Sequence, residues 1–363
     1  MTLPPLKGLG YSRRLCQLGL LVLLLFGTRT WAQLGIVLPA PLAPIELQST
    51  AKIELGHRLF FDRRLSGDGT MSCAVCHLPD QAFADGRDIS GAYPTTKHWR
   101  NTPTLLNAAY LKTFFWDGRS DSLAHQAAEP IETPFEMNSN LPYIVAKLAE
   151  IPEYREAFEK AYSAEISKEL ILSALAAFEQ TLTSLDSPFE RYLKGEPQLL
   201  SRQARQGMEI FFGPRGGCSQ CHAGAMLSDE QFHNLGVAER SDLQEDWQQR
   251  ATRRFVLAEK GLPMLPRDPG RYGVSKEPSD MGSFRTPPLH QVAQTAPYMH
   301  NGSMNTLKDV VAFFSRGGGH DAQKSRQLKS PDFSPEEQAA LVAFLESLSG
   351  TVPEVHRPHL PGD

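Results

Sequence analysis

Cysteine is scarce in this 363-residue chain, and none of it is spare. Of five cysteines, Cys16 lies in an N-terminal leader, and Cys73, Cys76, Cys218 and Cys221 fall into two C-x-x-C pairs. Nothing remains to build a disulfide framework, and a bridge closing a two-residue loop hardly constrains the unfolded chain. Blocks of lysine or arginine are missing as well, and the net charge is -4, so a nucleic-acid partner is excluded. After the leader no apolar run approaches the roughly 18 residues of a membrane helix. Convincing strand patterns are absent too. What is present, 41% hydrophobic residues, 21% charged and 27 prolines, describes a loop-rich globular protein whose length suggests about two domains.

Residues 1–32 are of another kind. Lys7, Arg13 and Arg14 precede the run "LGLLVLLLFG", and "TWA" ends at Ala32 as a small-residue cleavage site does. This reads as a signal peptide removed near Ala32, which makes the mature protein exported and periplasmic; an uncleaved anchor is the alternative.

Each C-x-x-C pair is followed at once by a histidine, in "SCAVCHLPD" at His77 and in "GCSQCHAGA" at His222. One zinc ion joining the pairs would leave both histidines unexplained. A thioredoxin-like dithiol belongs in a strand and helix context that neither pair has. C-x-x-C-H is the attachment signal for c-type haem: two thiols bond the vinyl groups, and the adjacent imidazole becomes an axial iron ligand. Two such signals consume every mature cysteine. The expectation is two covalent haems, held by Cys73, Cys76 and His77 and by Cys218, Cys221 and His222.

The segments "LGHRLFFDRRLSGDGTMSCAVCH" and "RQGMEIFFGPRGGCSQCH" read as two copies of one unit, a short helix ending in Phe-Phe, a glycine-containing turn, then the attachment site. Helical periodicity runs over 141–161, 166–184, 305–314 and 335–348, the last opened by Ser334, Pro335 and Glu337 as a capping box. The proline and glycine of "SPFERYLKGEPQLL" mark a boundary near 190–200. The expected fold is all-α, with domains at 33–195 and 196–363 after the 1–32 leader, and one haem in each.

Joined to "RNTPTLLNAAYLKTFFWDGR", "EPIETPFEM" and "FRTPPLHQVAQTAPYMHNGS", the two attachment sites make residues 51–350 resemble the bacterial dihaem cytochrome c peroxidase family, which includes MauG-like protein-oxidising enzymes. The resemblance implies two cytochrome c-like domains. An N-terminal haem meets peroxide, a C-terminal haem receives electrons, and a calcium ion lies between them. A homodimer is compatible with it.

Reducing peroxide requires an acid-base group above an open iron face. The resemblance supplies Gln126, Pro130 and Glu136 for that pocket. Glu136 would take the proton from one peroxide oxygen and return it to the other, whereas alone it reads as a solvated surface acid. Trp116, which composition alone makes a core residue, is implied to relay electrons between the haems. Calcium is implied at the Asn101 side chain and the Thr295 and Pro297 carbonyls, oxygen donors suited to a hard cation.

Two positions depart from the family. A histidine that closes the N-terminal haem in many members would fall at Tyr93; His98 is close but displaced, and reads as a switch ligand or as a plain loop residue. Without such a ligand the resting protein would meet peroxide with no prior reduction, as MauG-like members do. The C-terminal haem's distal Met or Tyr would fall at Phe314, which cannot ligate iron. That haem is then five-coordinate or takes Met299, Met304 or His320, each of which also reads as a core or loop residue. His300 and His233 read as packing near the haems.

Three functions follow: peroxide reduction with electrons from a small soluble donor, a cytochrome c or copper protein; MauG-like oxidation of Trp or Tyr on a partner protein; or plain dihaem electron transfer. The third predicts two closed irons inert to peroxide.

Overall fold

The computed structural model describes Met1 and residues 36–92, 96–262 and 265–362. The leader with Cys16, its cleavage site at Ala32 and the Tyr93 position lie outside the described residues. Residues 38–363 form one compact unit.

Its helices in the first half are α1 (Thr50–Phe61), α2 (Cys73–Cys76), α3 (Leu123–Glu132), α4 (Leu141–Ala149), α5 (Pro152–Tyr162), α6 (Lys168–Glu179) and α7 (Pro188–Leu193). The second half adds α8 (Arg202–Phe212), α9 (Ser241–Glu245), α10 (Trp247–Glu259), α11 (Tyr272–Ser275), α12 (Leu307–Ser315) and α13 (Pro335–Glu346). Sheet is confined to two antiparallel ladders among the described residues: β1 (Gly91–Ala92) with β2 (Thr96–Lys97), and β3 (Phe232–His233) with β4 (Phe284–Arg285).

Local chemistry sets the helix ends. The side chains of Ser122, Asn140 and Ser167 accept backbone N–H groups at the starts of α3, α4 and α6. Thr306 and Ser334 complete capping boxes with Asp309 and Glu337. The single helix expected over 141–161 is two, α4 and α5. Pro152 has no amide hydrogen for a fourth-residue bond and holds Ile151 extended at φ -97°, ψ 114°, so the chain breaks and restarts there.

The twin units expected from the sequence are visible as two matching helix crossings. A Cβ on Gly56 of α1 would stand 1.8 Å from the Ala174 carbonyl oxygen of α6, and one on Gly207 of α8 would stand 1.9 Å from that of Ala340 of α13. Only hydrogen fits at either crossing. One turn further, Phe60 packs on Phe178 at 5.1 Å between centroids, and Phe211 on Phe344 at 5.1 Å. Phe60, Leu59, Phe158, Ile171 and Leu175 around the first crossing are fully buried. Removing each such side chain from water contributes about 1.5–3 kcal/mol, which anchors helices too short to persist alone. The chain's end returns to this first core: Val352 and Val355 pack against it, and His57 Nε2 lies 2.9 Å from the His356 carbonyl.

Candidate functional site: two C-x-x-C-H motifs and an acid-histidine pair

The first motif lies on α2 and the second on a single 3-10 turn, Cys218–Gln220, each following a turn that begins at the Phe-Phe end of its helix, Phe61 or Phe212. All four cysteines are unpaired. Burial pushes the Cys76 and Cys218 thiols up to about 12 and the Cys221 thiol up to about 11. This is the opposite of the lowered thiol expected of a redox dithiol.

Both histidines are prepared alike. His77 Nδ1 is 3.0 Å from the Phe83 carbonyl oxygen, and His222 Nδ1 is 2.9 Å from that of Leu227. A carbonyl accepts only, so each Nδ1 carries the ring proton and each Nε2 keeps its lone pair. The two acceptors share left-handed backbone, φ 55° at Phe83 and 50° at Leu227, which turns their carbonyls toward the rings. Burial lowers both imidazole pKa values, favouring the neutral form that ligates a metal. Two thiols beside an imidazole with a free Nε2, twice over, fit covalent haem.

A cavity of about 470 Å³ opens beside the second motif and is lined by Cys218, Cys221 and His222. It has room and an apolar wall for a porphyrin. Phe314 lines it, as do Met299 and His320, whereas Met304 does not. Trp116, Asn101, Thr295 and Pro297 line the same cavity, so the expected relay and the expected calcium donors share one space with the second motif. The Trp116 indole N–H donates to the Asn101 carbonyl at 2.9 Å. The Asn101 side-chain nitrogen donates to the Arg87 and Asp88 carbonyls at 2.9 and 3.4 Å, which leaves Oδ1 as the oxygen able to bind a cation.

His300 packs, as expected, stacked on Phe284 at 3.6 Å and edge-on to Trp116 at 6.5 Å. Burial holds it neutral, with its pKa down at about 4. His233 Nε2 pairs with Asp229 Oδ2 at 2.9 Å.

On the first motif's side, Gln126 and Pro130 lie one turn apart on α3, and so on the same face. Glu136 sits in the turn that follows, its N–H donating to the Thr133 carbonyl at 3.0 Å. Its charge is felt at Cys76 and His77, which puts it in the neighbourhood of the first motif. It is not a solvated surface acid: the side chain is 24% exposed, and His98 Nε2 lies 3.3 Å from its Oε1.

Two features escaped the sequence reading. One is this histidine-acid pair. The other is a buried ion cluster, in which Arg100 binds Asp117 at 2.8 Å and Asp268 through two bonds of 2.7 and 2.8 Å. Arg119 adds a contact to Asp117 at 2.9 Å and one to Glu129 at 3.0 Å. Burial would raise the Asp268 pKa, but the Arg100 charge and hydrogen bonds bring it down to about 2. Arg100 opens "RNTPT" and Asp117 lies within "WDGR", a hint available in the sequence, but Asp268 is 168 residues from Arg100 and nothing local announces it.

A helical frame bearing two C-x-x-C-H motifs with matched histidines defines a dihaem c-type cytochrome class. The family model "Di-haem cytochrome c peroxidase" matches residues 50–198. Cytochrome-c peroxidase IdrP1 of Denitromonas iodatirespirans is 40% identical over 346 residues, 93% of this chain and 92% of its own length. Methylamine utilization protein MauG of Methylophilus methylotrophus is 34% identical over 89% of each chain. The crystal structure of a MauG-like protein associated with microbial copper homeostasis aligns with a TM-score of 0.72 at 32% identity, over 86% of this chain and 93% of that one. The chain belongs to the di-haem cytochrome c peroxidase family, and is a haem peroxidase, an oxidoreductase.

Proposed function

We propose that the protein is a periplasmic peroxidase that reduces hydrogen peroxide to water with electrons from a small soluble redox protein. The proposed arrangement is two cytochrome c-like domains meeting near residue 195. Cys73, Cys76 and His77 hold the peroxide-reacting haem, and Cys218, Cys221 and His222 hold the electron-accepting one. Haem at these sites would supply redox-active iron, at which the O–O bond of peroxide takes up two electrons.

The chain's own part is proton handling and order. Glu136 accepts a proton at its carboxylate from one peroxide oxygen and returns it to the other, so that the second oxygen leaves as water. Gln126 and Pro130 form the adjoining wall on α3. Trp116, fixed by its bond to Asn101, would serve as the electron relay between the two haems, and calcium at Asn101, Thr295 and Pro297 would stiffen the loops that carry it.

The observation that carries this reading is the held carboxylate: Glu136, within electrostatic reach of His77 and bonded to His98. A plain electron carrier has no use for it. Engaged at Glu136, His98 would not be free to close the haem held by His77, and peroxide would then react without prior reduction.

MauG-like oxidation of a partner protein is the second reading, favoured by Phe314 in the cavity where a ligand would otherwise stand. Mixing peroxide with the as-isolated ferric protein in a stopped-flow spectrometer, with and without reduced cytochrome c, separates the two. A small-donor peroxidase oxidises the cytochrome promptly. Prompt reaction with slow decay and no donor oxidation would overturn the first reading in favour of the second.

A further inference from the structure

His98 is held on every side that the structure describes. Its Nδ1 accepts the Arg100 N–H at 3.1 Å, its own N–H donates to the Ser90 carbonyl at 2.9 Å, and the Trp99 ring stacks on it at 4.4 Å and 13°. Phe135, the neighbour of Glu136, closes the far side at 6.3 Å. The Arg100 backbone that supplies the N–H is fixed in turn by the guanidinium's bonds to Asp117 and Asp268. Nδ1 also lies 3.3 Å from the Arg100 carbonyl, but the closer Arg100 N–H can only donate and the carboxylate at Nε2 can only accept, so the neutral tautomer that satisfies both carries its proton at Nε2, facing Glu136 Oε1 at 3.3 Å.

We propose that His98 is the positioning residue for Glu136, donating Nε2–H to Oε1 so that the carboxylate is oriented with Oε2 left to take the proton of the incoming substrate. The role rests on the peroxidase reading of the same pocket. It is also incompatible with ligation, since Nε2 cannot at once donate to Glu136 and offer a lone pair to iron.

The electrostatics agree. Burial by itself would raise the Glu136 pKa, but the hydrogen bond and attraction from His98, followed by the charge of Arg119, leave it below the usual carboxylate value. Cys76 is the remaining titratable group that senses the carboxylate, and in the haem-loaded protein its sulfur is a thioether without charge. His98 is thus the largest favourable contributor to keeping Glu136 ionised. A base works only above its pKa, so removing His98 moves the acid limb of the reaction upward in pH.

The test uses the haem-loaded protein with His98→Ala, His98→Gln, Glu136→Gln and the His98→Ala/Glu136→Gln pair. Two association rates are followed against pH in the ferric state: hydrogen peroxide, and cyanide, which enters as HCN and must also give its proton to a base in the pocket. For His98→Ala the expected result is an acid limb raised by about one pH unit in both reactions, read as a loss of about tenfold at a pH on that limb. His98→Gln, whose amide N–H can replace Nε2–H, restores most of the rate. In the Glu136→Gln background His98→Ala costs nothing further, because there is no carboxylate left to position.

Unmoved acid limbs, a full additive loss in the double variant, or a resting low-spin iron that becomes high-spin in His98→Ala would each overturn the proposal, the last by making His98 an iron ligand. A protein inert to peroxide whose cyanide limb still moves would sink the peroxidase reading and leave the positioning role standing.

Discussion

The two C-x-x-C-H units share a frame and differ in what surrounds it. Gly56 and Gly207 let matched helices cross at carbonyl contact, Phe60 and Phe211 take the same partner one turn on, and His77 and His222 are oriented through the same left-handed carbonyl device. Beyond the frame the correspondence ends. Following Phe178 in the first unit is Glu179, a buried acid with one oxygen unpartnered, while the residue following Phe344 in the second is Leu345. Near His77 stands the Glu136 and His98 pair; the cavity of His222 presents Phe314, with His233 on its wall paired to Asp229 at 2.9 Å. Holding a porphyrin dictates the shared part. Each motif thus has a histidine-acid pair nearby, and the proposed division between a reacting site and an electron-accepting site rests on Glu136 and His98 at the first.

The frame can be broken most severely at its glycines. Gly56→Ala and Gly207→Ala each force a methyl group into a backbone carbonyl, a cost of about 3 kcal/mol or more, and both variants should lose haem-loaded protein in expression and melt well below the parent by circular dichroism. If one is tolerated, the crossings are not equivalent.

Glu179 sharpens the contrast by pH. Burial raises its pKa to about 8 from an ordinary value of 4.5. The folded state then binds a proton that the unfolded state has released, so this group leaves stability untouched below about pH 4.5 and lowers it progressively as pH rises toward 8. At its steepest the loss is about 1.4 kcal/mol per pH unit. Glu179→Leu, which copies the second unit, should remove that slope in thermal melts taken from pH 5 to 8. A slope that survives would assign it to another group.

Glu136→Gln should slow the peroxide step about a hundredfold, equivalent to about 2.7 kcal/mol of barrier, while the pyridine hemochrome value stays at two haems per chain. Trp116→Phe is the mildest change. It loses one hydrogen bond to Asn101, about 1 kcal/mol of stability by denaturant titration, and should slow donor oxidation more than the peroxide step.

Much of the frame was legible in the sequence because it is written in local pattern. The Phe-Phe helix ends, the capping box at Ser334 and the two C-x-x-C-H motifs each sit within a few consecutive residues, and the structure shows the helices there. The one long helix over 141–161 failed because its apolar spacing continues through Pro152 while the backbone hydrogen bonds cannot. The pocket was less legible. His98 and Glu136 are 38 residues apart on a loop and a turn, neither with a period to read, and their pairing depends on how β1 and β2 present the loop to the end of α3. The Arg100 cluster with Asp117 and Asp268 was hidden for the same reason.

The most direct measurement is electron paramagnetic resonance of the as-isolated ferric protein before and just after mixing with one equivalent of peroxide, with no reductant present. The expected result is a high-spin signal from the first haem that disappears on mixing in the parent and persists in Glu136→Gln. Two low-spin signals that ignore peroxide would contradict an open, acid-equipped site on the His77 unit.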